Sequence, residues 1–236
     1  MSLKALLFDV DGTLAETEET HRIAFNAAFE QFSLDWHWDY DLYCKLLSVT
    51  GGKERMRHYA TTIGLNETDI SDDTIRSIHL AKTDIYIEKV ERAEICLRPG
   101  IEKLINDARA ANLELAIVTT TSDVNAKRLI AATLGSDAIS WFSVWATGDR
   151  VKRKKPDGEI YQLALDELKL CADECAAIED APQGLAAARA VSVPTIVTVS
   201  SYSVDMEFNG AMRIVGLDDP RPTLNDIQSL HMSAVL

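Results

Sequence analysis

The sequence predicts an α/β protein: a Rossmann-like, three-layer core around a parallel sheet, with an all-helical cap domain inserted into it. Three observations point there. Short apolar, often β-branched runs recur along the chain and, beyond residue 100, alternate with stretches of helical periodicity, the pattern of strand–helix–strand units. The runs are almost continuously apolar, as strands covered by helices on both faces must be. Between the first run and the second, from Glu16 to Ile95, no comparable run occurs.

Taken in order, the first strand is LKALLFD, Leu3 to Asp9. Amphipathic periodicity then predicts helices over Glu18 to Gln31, Asp41 to Ser48, Lys53 to Ile63 and Asp73 to Ala93. Pro99 and Gly100 punctuate the return to the core. From there a helix over Gly100 to Asn112 leads to the strand LELAIVTT, Leu113 to Thr120. A helix over Val124 to Leu134 leads to FSVWATGD, Phe142 to Asp149, and one over Gly158 to Leu168 to CAAIED, Cys175 to Asp180. Pro182 to Val191 is helical, VPTIVTV (Val193 to Val199) is the fifth strand, and MRIVG (Met212 to Gly216) a weaker sixth. The tail, Asp218 to Leu236, reads as a short helix closing the core; nothing in it demands a second subunit, and a monomer is expected. The core domain is therefore expected at 1–15 and 96–236 and the cap at 16–95. The insertion leaves directly after Asp11, which should set it over the strand end where ligands bind in open α/β sheets.

Composition narrows the function classes. The 236 residues are 47% apolar and 26% charged, ample for a sizeable core. The net charge of −13 argues against nucleic acid or an anionic membrane as partner, because both need a basic footprint. No apolar run approaches the roughly 20 residues that span a bilayer, and the N-terminal segment reaches Asp9 too soon for a secretory signal. Cys44, Cys96, Cys171 and Cys175 lack the spacing of zinc ligands. Reduced, mostly buried thiols in a cytoplasmic protein are the expectation. Trp36, Trp38, Trp141 and Trp145 read as packing residues, and DWHWDYDLY (Asp35 to Tyr43) as a helix junction.

The chemistry gathers at strand ends. The first strand ends in Asp9 and Asp11, with Gly12 and Thr13 letting the chain turn. The second ends in Thr119, Thr120 and Thr121, and VKRKKPDGEIY after the third offers four cations, Lys152 to Lys155. The fourth ends in Glu179 and Asp180. In a parallel sheet these ends open on one edge. Two carboxylates in close succession raise each other's pKa, so a cation should share their site. Carboxylate oxygens suit Mg²⁺, and a lysine beside them would hold a phosphate. Downstream of the threonines, Ser122, Asn125 and Arg128 either line the same pocket or, for Arg128, face solvent.

In this order and at these spacings, DVDGT, the threonine-ended strand, KKP and IED resemble the four signature motifs of the haloacid dehalogenase-like superfamily, in its phosphatase branch. The resemblance covers nearly the whole chain. It implies Asp9 as nucleophile, forming an aspartyl phosphate, and Asp11 as general acid and then base. It implies Thr119 and Lys155 as phosphoryl contacts, with Lys155 also pairing Asp9. Mg²⁺ would be held by Asp9, the Asp11 backbone carbonyl, Glu179 and Asp180.

AETEETHR, GGKERM and KKPDGEIY further resemble the CbbY-like subgroup. That likeness implies a phosphatase of small sugar phosphates or bisphosphates, xylulose 1,5-bisphosphate first, in a carbon-fixation setting. The alternatives are a β-phosphoglucomutase-like mutase and a phosphoglycolate phosphatase. Thr13, where related mutases carry an aliphatic residue, favours hydrolysis, because a hydroxyl can orient water. By the same resemblance Glu18, His21, Gly52, Lys53, Arg55, Arg57 and Thr120 are candidate substrate contacts. Gly51 and Gly52 expose backbone N–H groups at a helix start, a place suited to a second phosphate. His21 reads either as an exposed helix residue or as a support for Asp11.

Overall fold

A computed structural model describes residues 2–92 and 94–234. The chain falls into two compact units, Met1–Glu16 with Ile95–Leu236, and Thr17–Glu94. The expected helix end at Ala93 and the last two residues of the expected tail helix lie outside the described residues.

In the first unit the described residues form a six-stranded sheet: β1 (Ala5–Phe8), β2 (Glu114–Val118), β3 (Val144–Ala146), β4 (Cys175–Glu179), β5 (Thr195–Thr198) and β6 (Arg213–Val215). The spatial order is β3-β2-β1-β4-β5-β6, with every neighbouring pair parallel. The chain starts in the middle, steps outward to β3, returns to lay β4 beside β1, and steps outward the other way. The reversal falls between β1 and β4, the crevice where such sheets bind ligands.

Register fixes what meets there. Phe8 stands level with Ile117 on one side and Ile178 on the other. The residues that follow, Asp9, Val118 and Glu179, therefore leave the sheet side by side. Ala5, Leu7, Ala116 and Val118 turn one face toward the helices Glu159–Leu168 and Pro182–Ala190. Their neighbours Leu6, Phe8, Leu115 and Ile117 face the other way by strand alternation and are equally buried. This double burial explains why the strands read as unbroken apolar runs.

The remaining helices of this unit are Ile101–Ala110, Asp123–Leu134 and Leu224–Ala234. The first begins after Gly100, whose φ of +85° suits glycine and few other residues. The 3₁₀ turns Ser136–Trp141 and Ala172–Glu174 were not foreseen, since such short elements carry no period.

The second unit contains α1 (Glu18–Gln31), α2 (Tyr40–Leu46), α3 (Gly52–Thr62) and α4 (Asp72–Glu91). In the first unit the labels continue in chain order: α5 is Ile101–Ala110, α6 Asp123–Leu134, α7 Glu159–Leu168, α8 Pro182–Ala190 and α9 Leu224–Ala234. The cap core is aromatic. Trp38 is fully buried, with ring centroids 4.8 Å from both Phe25 and Phe29 and 5.6 Å from Tyr59. Asp39 next to it caps α2 by accepting from the Leu42 N–H. One short segment thus supplies both the core and a helix start, while Trp141 and Trp145 in the first unit stay partly exposed.

The cysteines depart from expectation. All four are free, but only Cys175 is buried; Cys44 is half-buried, and Cys96 and Cys171 are exposed. Cys175 sits in a central strand, whereas Cys96 lies in the return segment and Cys171 at the start of a surface turn. Among the described residues no helix is long and apolar enough to cross a membrane.

Candidate active site

Asp9 is the first residue past β1, and its backbone N–H still donates to Ile178 across the β1–β4 crevice at 3.0 Å. Its side chain is almost wholly buried. What meets it comes from the loop after β3: the Lys155 ammonium donates to Asp9 Oδ1 at 2.7 Å, to Glu179 Oε1 at 2.6 Å and to the Val118 carbonyl at 2.8 Å. Three ammonium hydrogens thus meet three acceptors from three neighbouring strand ends. Of the cationic run, Lys152 and Arg153 are exposed and Lys155 alone is buried.

The electrostatics follow from this burial. Burial pushes the Asp9 carboxyl up, and the attraction of Lys155 offsets only part of that. Glu179 is pushed up to about 7 by burial, again against the pull of Lys155. Burial works against the Lys155 charge, yet Asp9 and Glu179 outweigh it and hold the ammonium above its ordinary range. Lys155 thus serves both carboxylates.

A third carboxylate stands beside these two. Asp9, Glu179 and Asp180, all buried, each offer an oxygen within 4.8 Å of the others. Asp180 Oδ2 accepts from the Ser200 hydroxyl at 2.6 Å. The set consists of hard oxygen donors in net negative surroundings, which fits a divalent cation of the Mg²⁺ class. The backbone is shaped around the two carboxylates of β4. A Cβ on Gly12 would stand 2.1 Å from Asp180 Oδ2, and one on Gly184 would stand 1.9 Å from Glu179 Oε2. Gly12 also needs its φ of +77°.

The Asp11 side chain is not part of this three-carboxylate group, although its charge lies near enough to add to the upward push on the Asp9 carboxyl. Beyond Asp9 the chain turns, burying Val10 and leaving Asp11 half-buried, with Gly12 N–H closing the turn on the Ala15 carbonyl at 2.8 Å. Thr119 is buried, and its hydroxyl accepts from the Thr121 N–H at 3.3 Å. Thr120 is half-buried, its carbonyl packed so closely that a Cβ on Gly148 would lie 2.1 Å away. Ser122 caps α6, Asn125 is buried and Arg128 is exposed. Thr13 is fully buried, and its hydroxyl has no hydrogen-bond partner among the described residues.

In the cap, Arg55 is not a solvated charge. It is buried, donating from Nε to the Leu46 and Val49 carbonyls at 3.2 and 3.3 Å and from Nη1 to the Tyr43 hydroxyl at 2.9 Å. Tyr43 passes its own proton to Glu18 Oε2 at 2.8 Å, so Glu18 and Arg55 are joined through one phenol. His21 is buried, not exposed: Nδ1 lies 2.7 Å from Lys82 Nζ, and its ring stacks on Tyr86 at 4.1 Å. A Cβ on Gly52 would come within 2.8 Å of the His79 ring, so packing accounts for that glycine. Lys53 is half-buried. Arg57 pairs with Asp72 at 2.7 Å on the surface, which accounts for its charge locally.

Sequence reasoning missed Tyr161, whose buried hydroxyl donates to Glu179 Oε1, and Ser200 behind Asp180. Tyr161 stood in the quoted KKPDGEIY, within the helix expected over Gly158 to Leu168, and nothing local marked its hydroxyl as a partner of Glu179. Ser200 follows the fifth strand, and that position at a C-terminal strand end was the available signal.

The family model for haloacid dehalogenase-like hydrolases matches residues 3–192. Among curated proteins, the plasmid-encoded protein CbbY of Cupriavidus necator is 45% identical over 221 residues, covering 92% of this chain and 87% of the relative. Protein CbbY of Cereibacter sphaeroides is 44% identical over 232 residues, covering 98% of each. Among solved structures, a mutant of CbbY from Rhodobacter sphaeroides, crystallised in complex with xylulose 1,5-bisphosphate, superposes with a TM-score of 0.86 at 43% identity, covering 92% of this chain and 94% of that one.

Proposed function

The chain belongs to the haloacid dehalogenase-like hydrolases, and from that premise we propose a Mg²⁺-dependent phosphatase of a phosphorylated sugar, with xylulose 1,5-bisphosphate as the leading substrate. Asp9 is the nucleophile. One of its carboxylate oxygens attacks phosphorus, and the bond from phosphorus to the sugar oxygen breaks. Asp11 delivers a proton to that departing oxygen, then takes one from the water that opens the aspartyl phosphate, returning Asp9 and releasing inorganic phosphate. Thr119 donates its hydroxyl proton to a phosphoryl oxygen. Lys155 orients Asp9 and supplies positive charge to the transferring group. Asp9, the Asp11 carbonyl, Glu179 and Asp180 would hold Mg²⁺, which when bound neutralises charge on the phosphoryl oxygens. Electrostatic stabilisation of this kind supplies most of the rate in phosphoryl transfer.

The observation that carries the reading is the buried Lys155–Asp9 pair at 2.7 Å inside a cluster of three buried carboxylates. The sugar bisphosphate comes from the relative whose crystals hold it. The cap cations Lys53 and Arg55 are its candidate anchors, Arg55 because its acceptors are neutral oxygens rather than a carboxylate. The test is phosphate release from xylulose 1,5-bisphosphate, phosphoglycolate and β-glucose 1-phosphate, with and without EDTA. The expected result is EDTA-sensitive release with kcat/KM at least ~10²-fold higher for the bisphosphate. Undiminished release in EDTA overturns the metal reading. Isomerisation of the glucose phosphate without phosphate release overturns the hydrolytic one.

A further inference from the structure

Arg98 stands where the chain re-enters the core, directly before Pro99 and Gly100. Its guanidinium is almost completely buried. It donates from Nη1 to the carbonyls of Gly12 and Thr198, the latter at 2.9 Å, and from Nη2 to the Val199 carbonyl. Its Nε faces Glu16 Oε1 at 3.1 Å, and its backbone N–H donates to the Leu14 carbonyl at 2.8 Å. Glu16 in turn accepts from the Ser201 hydroxyl and N–H at 2.7 and 3.2 Å. A buried cation is costly unless its donors are met, and here rigid backbone meets them.

The two loops joined in this way are the ones that enclose Asp180. Gly12 is the residue whose missing Cβ makes room for the Asp180 carboxylate. Thr198 and Val199 lead into Ser200, whose hydroxyl donates to Asp180 Oδ2 at 2.6 Å and whose N–H is held by the Ser203 hydroxyl at 2.9 Å. The hydrogen bonds of Arg98 go to backbone carbonyls and its ion pair to Glu16. We propose that Arg98 is a positioning residue: it clamps the turn after β1 to the loop after β5, and so holds Ser200 and Gly12 at the distances that aim Asp180 at a divalent cation. A guanidinium is suited to this because its planar fork serves several carbonyls at fixed angles, which a lysine ammonium cannot do. The inference rests on the metal-dependent reading above.

The test is Mg²⁺ binding by calorimetry, or Mn²⁺ binding by EPR, on the substrate-free chain, with thermal unfolding alongside. Arg98→Lys keeps the charge and loses the fork, and should weaken cation binding by ~10-fold or more, the scale seen when groups supporting metal ligands are removed. Ser200→Ala should shift binding the same way. The two losses should combine non-additively, because they act through one carboxylate. Glu16→Gln, at a half-exposed partner of the clamp, should give a smaller shift and decides the matter if Arg98→Lys does not fold. Lower thermal stability with cation affinity equal to wild type in Arg98→Lys and Glu16→Gln overturns the inference and leaves the phosphatase reading intact. A wild-type chain that binds no divalent cation overturns both.

Discussion

At the residue scale, Asp9 and Lys155 divide stability from chemistry. Asp9→Asn removes a buried charge whose burial is unfavourable in itself, but takes half of the Lys155 pairing with it. The fold should survive because Glu179 and Val118 still accept from the ammonium. Turnover should fall by ~10⁴-fold or more, as when a nucleophile is deleted; phosphate release and circular dichroism on one preparation check both halves. Arg55 behaves differently. Arg55→Ala leaves the Tyr43 hydroxyl and two carbonyls short of a donor inside the cap. It should cost about 1–3 kcal/mol of cap stability besides raising KM for a bisphosphate more than for a small aryl phosphate. Equal KM effects on the two substrates would reduce Arg55 to a packing residue.

At the element scale, α8 illustrates competition between local preference and tertiary packing. Gly184 lies in its first turn, where alanine would normally strengthen the helix by up to ~1 kcal/mol. A Cβ there would stand 1.9 Å from Glu179 Oε2, and Glu179 cannot swing aside without giving up Lys155 and Tyr161. Gly184→Ala should therefore destabilise the protein, by about 1–3 kcal/mol as overpacking does, and lower kcat with it. Differential scanning calorimetry and steady-state kinetics on that variant measure the two effects, and a raised Tm would refute the argument. The helix boundaries read from periodicity lie close to the observed ones, α1 coinciding at Glu18–Gln31. The elements that escaped, such as the 3₁₀ turn at Ser136–Trp141, were set by how the chain closes between neighbours.

At the scale of the whole molecule, buried titratable groups tie stability to pH. His231 on α9 is buried, its Nε2 without a partner among the described residues, and burial holds its pKa below the ordinary histidine value. Its folded value lies below its unfolded one. The stability this contributes is present above the ordinary value and is lost as pH falls through the folded one. Acidifying from about pH 7 to about pH 5, across the ordinary histidine range, should lower Tm more steeply in wild type than in His231→Gln. Parallel pH profiles would show that His231 does not titrate on unfolding. Glu179 works in the opposite direction. Its folded value of about 7 lies above the usual carboxylate value, so its contribution declines as pH rises between the two. The difference between wild type and variant isolates the histidine.

The sequence alone determined the α/β class, the strands, the interrupting helices and the motif residues, because apolar period and motif spacing are local properties that each segment carries by itself. It also placed Asp9, Lys155, Glu179 and Asp180 at strand ends. Tertiary structure decided which of them meet. The register that sets Phe8 level with Ile178 brings Asp9 beside Glu179 and Asp180. It also decided the burial of Arg55, His21 and Arg98, whose partners stand 9, 61 and 86 residues away along the chain. Pairings over such distances follow from sheet order and helix packing, and no local pattern encodes them.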